Sequence, residues 1–221
     1  MMILDPVPVI FDTSEVEARL RFDATRAGFP SLEERIRLAR GLMRPKAVFE
    51  VAYVEAKGDR TVEVSGVAFE SSLLRRNLDN VNKVFPYIIT VGPELEREAS
   101  AIGDLLEQYY LEEIANITLE KASEWFSAHL EERFGVTGLA NMSPGSLEDW
   151  PITEQRKLFS IFGDTERLIG VRLTASMLMV PRKSISGILF PSEEGFVACQ
   201  LCERGNCPSR KAEFAPQRSE R

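Results

Sequence analysis

Histidine is nearly absent from this chain, and its single copy, His129, excludes by counting most His-based triads and multi-histidine metal sites. His129 falls within a long helical pattern, so a partly exposed structural role is expected. No apolar run approaches the length that spans a bilayer. The opening Met1-Met2-Ile3-Leu4-Asp5-Pro6 has no basic region, apolar core or cleavage site. A soluble, cytoplasmic protein with no membrane contact is expected. Positive charge is also short: 27 Lys and Arg against 34 Asp and Glu leave a formal charge of -7. Nucleic-acid binding needs basic side chains to neutralise phosphates, so no nucleic-acid partner is expected. Cysteine is scarce, and its three copies fall between Cys199 and Cys207. An odd count at that spacing does not make a disulfide framework and fits a reducing compartment. With no internal repeat, low-complexity tract or linker, residues 1–221 read as one domain with a Cys-rich segment at 199–207 and a polar tail at 217–221.

What is present orders itself along the chain. Asp12-Thr13-Ser14-Glu15 and Ser31-Leu32-Glu33-Glu34 each offer a side-chain oxygen with Glu three positions later, the reciprocal pattern that opens a helix. Gly28-Phe29-Pro30 separates the two helices. Ala47–Ala56 and Thr61–Phe69 are rich in β-branched and aromatic residues around Lys57-Gly58-Asp59-Arg60, which predicts a hairpin. Ser71–Asp79 reads as a short helix. Val84–Val91 reads as an apolar strand in which Pro86 suggests an edge or a strand entry. From Asp104 to Phe134 there is neither Pro nor Gly, and apolar residues recur at Leu106, Tyr110, Ile114 and Ile117, then with drift at Ala122, Phe126 and Leu130. One long helix, or two nearly continuous ones, is expected, capped by Gly135. Val136–Trp150 reads as a loop around Pro144-Gly145, and Thr153–Phe162 as a short helix ending at Gly163. Helices mixed with hairpin-connected strands predict an α+β fold.

Three ordered motifs carry a resemblance. They are Ser143-Pro144-Gly145-Ser146, Trp150-Pro151-Ile152-Thr153-Glu154-Gln155, and Pro181-x-x-Ser184-x-Ser186-Gly187. Together they resemble the activation (reactivation) domain of cobalamin-dependent methionine synthase and its stand-alone relatives, over roughly Phe85 to Phe196. The resemblance implies a C-shaped α+β domain around a twisted antiparallel sheet with flanking helices. Such a domain binds S-adenosylmethionine and docks on a corrinoid-binding protein or cobalamin-dependent methyltransferase. There, an electron from a donor such as flavodoxin or ferredoxin and a methyl group from the sulfonium restore methylcobalamin from cob(II)alamin. The protein's share of that chemistry is mostly positioning.

Site residues follow from the same resemblance. The family has Arg before the Pro-Gly turn and Tyr after its glycine; this chain has Asn141 and Ser146, and it retains Gly145. A neutral amide cannot form the bidentate, charge-assisted pair that Arg makes with a carboxylate. Glu124 falls near the family's acidic ligand contact, and Phe196-Val197 falls where the family has a tyrosine pair. Read without the resemblance, Glu124 is a solvated helix-face carboxylate and Phe196 a core aromatic. Arg182, Lys183, Ser184 and Ser186 form a polar turn that faces ligand or corrinoid partner, or else an ordinary hairpin turn.

Cys199-x2-Cys202-x4-Cys207-Pro208 has a spacing used by both iron–sulfur and zinc sites. Three thiolates would leave one position for water, Glu203, another chain or substrate; the alternative is three reduced thiols. The leading functional expectation is a reactivation factor for a corrinoid protein with S-adenosylmethionine as methyl donor. Beside it stand a corrinoid-docking or redox partner without S-adenosylmethionine, and an unrelated iron–sulfur or zinc protein on the same scaffold.

Overall fold

The structure is a computed structural model that describes residues 1–20, 31–192, 195–207 and 210–215. The expectations for Gly28-Phe29-Pro30, for Pro208 and for the 217–221 tail lie outside the described residues. The first half of the chain runs β1 (Met2–Leu4), α1 (Thr13–Leu20), α2 (Leu32–Leu42), β2 (Lys46–Phe49), β3 (Ala52–Lys57), β4 (Thr61–Val64), β5 (Val67–Glu70), α3 (Ser72–Asn77), β6 (Lys83–Thr90) and α4 (Glu94–Ala101). There follow α5 (Leu105–Phe134), β7 (Leu139–Met142), α6 (Gln155–Ser160), α7 (Thr165–Ile169), β8 (Arg172–Leu173), β9 (Met179–Val180) and β10 (Ser184–Pro191). The class is α+β, as expected, with every strand pair antiparallel among the described residues. None of the described helices is long and apolar enough to cross a membrane.

The predicted helix starts are present. Asp12 Oδ1 accepts from the Glu15 amide at 2.8 Å, and Ser31 and Glu34 close a reciprocal box, with Ser31 N–H donating to Glu34 at 2.7 Å. The long helix is one unbroken element of 30 residues, opened by Asp104 and closed by Gly135 at φ 60. Its apolar drift has a packing cause. Leu111, Ile114, Ala115 and Ile117 pack among α1, α2 and α4, whereas Ala122, Phe126 and Leu130 lie against Phe49, Phe85, Tyr87 and Ile89 of the sheet. One helix therefore serves two cores, and its buried stripe turns between them.

At the centre of the sheet is β6. It pairs with β2 and β3 along one edge and with β10 along the other, and β10 pairs onward with β7. Residues 84, 85 and 87–89 of β6 are all buried. Helix α5 covers one sheet face, while Val48 and Ile88 on the other meet Phe159, Phe162, Ile169 and Val171. A strand covered on both faces reads as a continuous apolar run, which is what the sequence shows.

Pro86 is thus central, which corrects the edge expectation. Its carbonyl accepts from Glu50 N–H at 3.1 Å, so its missing donor faces the same neighbour. The ladder is interrupted there: Phe49↔Tyr87 and Ala52↔Val84 keep one register, and Glu50-Val51 opposite the proline divide the expected Ala47–Ala56 strand into β2 and β3. Three further differences are found. Thr61–Phe69 is a second hairpin, β4–β5, turned by Ser65 and Gly66 at φ 52 and 70. The Val136–Trp150 loop contains β7, and Ser184 begins a strand instead of belonging to a turn.

Candidate functional site

Strand pairing assembles the region of the Pro-Gly turn. Tyr87 lies opposite Gly187 across β6–β10, and Asn141 lies opposite Leu189 across β10–β7. A Cβ on Gly187 would lie 2.6 Å from the Met142 carbonyl oxygen and 2.7 Å from both Asn141 Oδ1 and Ser143 Oγ, so only glycine admits β7 this close. The Tyr87 hydroxyl donates to Asn141 Oδ1 at 3.1 Å, and Asn141 Nδ2 donates to Ser143 Oγ at 3.3 Å. Burial pushes the Tyr87 phenol well above its ordinary value, with Ser143 and Asn141 opposing the shift.

The turn is anchored from beneath. Gly145 has φ +82 and donates its N–H to the Trp150 carbonyl at 2.7 Å, and Ser146 N–H reaches the Ser143 carbonyl at 3.2 Å. Trp150 is fully buried with its ring edge-on to Phe69 at 5.7 Å, and its indole nitrogen has no partner among the described residues. Asp149 accepts from the Ser71 hydroxyl and from Leu73 N–H at 2.8 Å, tying the turn to the start of α3. Gly145 and Ser146 remain exposed above this foundation.

The other expected site residues scatter. Glu124 is exposed and pairs with Lys121 at 3.6 Å. It stands two residues from both Ala122 and Phe126, hence about 200° round the helix from the stripe that faces the sheet. Phe196 packs on the cluster of Trp150, Ile188 and Phe190, 6.4 Å from the Phe190 ring, in keeping with a core aromatic. Arg182 donates to Glu96 at 2.7 Å and Glu112 at 2.9 Å, and Lys183 donates to Asn116 at 2.8 Å, all on α4 and α5. The polar turn therefore clamps those helices to the end of β10, while Arg182 remains 57% exposed. Ser184 and Ser186 are buried; Ser184 Oγ lies 2.8 Å from the Pro181 carbonyl and 2.9 Å from Thr90 Oγ1. Placing these two serines on a docking surface is corrected by their position inside the strand.

The cysteine segment also differs from expectation. Among the described residues no three His, Cys, Asp or Glu side chains gather as a metal site, so the iron–sulfur and zinc readings of Cys199, Cys202 and Cys207 gain no support. The segment is organised instead by a cation, Arg210, whose guanidinium donates to the carbonyls of Cys199 and Cys202, each at 3.0 Å, and to those of Arg204 and Ala212. All three thiols are free and half-buried. Sequence reasoning passed over Arg210, and equally over Tyr87 and Asp149; the one available signal was a polar tip on Tyr87 within an otherwise apolar strand.

The residues present fit S-adenosylmethionine only in part. Gly145 is exposed, though Ile152 fills the side where a Cβ would stand, Asn141 is a neutral amide engaged at both its oxygen and its nitrogen, and Ser146 brings no aromatic ring. The carboxylate clamp implied for position 141 does not fit. No family model matches the sequence, and no curated protein does. Among solved structures, the chain is similar to a crystal structure of the MetH reactivation domain bound to AdoHcy. The TM-score is 0.57 at 14% identity, over 88% of this chain and 79% of that chain. At that identity the likeness shows a shared fold.

Proposed function

We propose that this chain is a reactivation-type partner of a corrinoid-binding protein. The observation that carries the reading is the shared fold with a reactivation domain, over most of both chains. The finer form adds S-adenosylmethionine as methyl donor for reductive remethylation of cob(II)alamin, with an electron from a flavodoxin- or ferredoxin-class donor. It is supported by the AdoHcy held in that similar structure and by the exposed Gly145 turn. A second form, docking without the sulfonium ligand, is favoured by the engaged Asn141 side chain.

Two titrations of the full chain separate these forms. In the first, S-adenosylmethionine or AdoHcy is added during thermal denaturation, since a ligand present at about 100 times its Kd stabilises the folded state by about 2.7 kcal/mol. In the second, a cobalamin domain of methionine synthase loaded with cob(II)alamin is titrated anaerobically and followed by its visible spectrum. Both responses support the finer form, and a corrinoid response alone supports docking. Silence in both at millimolar ligand and saturating protein would remove the proposal.

A further inference from the structure

The cysteine segment carries chemistry independent of the corrinoid reading. Residues Ala198–Gln200 form a tight 3-10 turn, continued by Leu201 N–H donating to the Ala198 carbonyl and Cys202 N–H to the Cys199 carbonyl at 3.4 Å. In such a turn side chains three apart eclipse, and a rise of about 2.0 Å per residue separates their Cα atoms by about 6 Å. That spacing lies within the range a disulfide bridges. The Cys202 N–H bond to the Cys199 carbonyl closes a four-residue turn, which brings the two cysteine Cα atoms within about 7 Å, while Cys207 follows five residues later.

Hydrogen-bond donors converge on the pair. Lys211 N–H approaches Cys199 Sγ at 3.5 Å, and Arg210 plants its guanidinium on the carbonyls of both cysteines. Arg210 thereby fixes the backbone of the turn that carries both thiols. Ala215 N–H donates to the Gln200 carbonyl at 2.7 Å and holds the segment's end against the turn.

We propose that Cys199 and Cys202 form a thiol–disulfide exchange site that takes low-molecular-weight disulfides. Cys199, having lost its proton to solvent, attacks one sulfur of the external disulfide; that S–S bond breaks, a mixed disulfide forms and one thiolate leaves. Cys202, also deprotonated to solvent, attacks Cys199 Sγ, expels the second thiolate and closes the Cys199–Cys202 bond. Two electrons pass from the protein's thiols to the external disulfide, which ends as two thiols after taking up two protons. Arg210 is a positioning residue that keeps the second sulfur within reach of the first.

The full chain, freed of metal with chelator under reductant and then desalted, is incubated with oxidised glutathione. Thiol titration and peptide mapping follow. Of the three thiols, two are expected to disappear into a Cys199–Cys202 bridge with no glutathione retained. Cys207→Ser closes the same bridge, whereas Cys202→Ser stops with glutathione on Cys199. Arg210→Ala slows closure by about tenfold, because the turn sets the effective concentration of the resolving thiol. Three thiols still titrating, glutathione persisting on the unmodified chain, or a bridge that includes Cys207 overturns the assignment.

Discussion

Replacing Gly187 with alanine tests the geometry on which the candidate site rests. The added Cβ would stand 2.6 Å from the Met142 carbonyl oxygen and 2.7 Å from Asn141 Oδ1 and Ser143 Oγ. Carbon and oxygen approach to about 3.3 Å in close sheet contacts, so something must move by about 0.7 Å. The two side chains can rotate away; the backbone carbonyl can retreat only by carrying β7 with it, against the pairings Ile188↔Met142 and Leu189↔Asn141. Overpacking of this kind costs about 1–3 kcal/mol, and the immovable obstacle argues for the upper half of that range. Displacing Asn141 also removes the Tyr87 hydroxyl's acceptor, at about 1 kcal/mol. The sum, about 3–4 kcal/mol, lowers the melting temperature of a chain of this size by about 6–16 °C. Scanning calorimetry measures it, and the same substitution is made in an Asn141→Ala/Ser143→Ala background. The loss should persist there, because the Met142 carbonyl is still in place. A Gly187→Ala protein that melts within about 2 °C of the parent would refute the close approach of β7. Recovery in the truncated background would instead show that the side chains, and not the backbone, were the obstacle.

Two further outcomes concern the helical half. Arg35, 1% exposed, donates to Glu107 at 2.6 Å and 2.9 Å and lies over the Tyr110 ring. Glu107→Ala should cost about 3–5 kcal/mol in urea denaturation, and Arg35→Met with Glu107→Leu should recover most of it; a single-mutant loss under about 1 kcal/mol would contradict a buried pair. The Ser31 N–H and hydroxyl hold the Glu34 carboxyl below its ordinary value. A carboxyl lowered in the folded state adds stability above its unfolded pKa, and that stability is lost as pH falls through the folded one. The melting advantage over Glu34→Gln should thus be full near neutrality and vanish in acid, whereas a gap independent of pH would show that the cap does not titrate.

Much of the fold was legible because its signals are local. Helix caps at Asp12 and Ser31 satisfy N–H groups a few residues away, and the same atoms do so in the structure. The break at Glu50 was not legible, since its cause, Pro86, stands 36 residues further on and acts only once the strands pair. The same holds for β7, four residues whose only strand partner among the described residues is β10. Helix α4 was passed over although Leu95 and Ala99 face the core at helical spacing, because Pro93, its cap residue, offers no side-chain hydrogen bond to announce it. At the site, the Pro-Gly turn could be read from its residues, but the engagement of Asn141 by Tyr87 depends on two strands that are neighbours of β10 and not of each other in sequence. Arg210 went unseen for a related reason: thiols advertise metal chemistry by spacing alone, whereas a guanidinium bonded to four carbonyls leaves no pattern of spacing.

The position of β10 has a consequence for how the chain is made. It is the last of the described strands, yet it lies between β6 and β7, both of which are synthesised before it. Until residues 184–191 emerge, β6 has one open edge and β7 has no partner, so a nascent or truncated chain presents apolar strand edges of the kind that recruit other chains. Completion of this sheet waits on β10, and residues 184–191 act as the seal on a surface that the strands made before them leave adhesive.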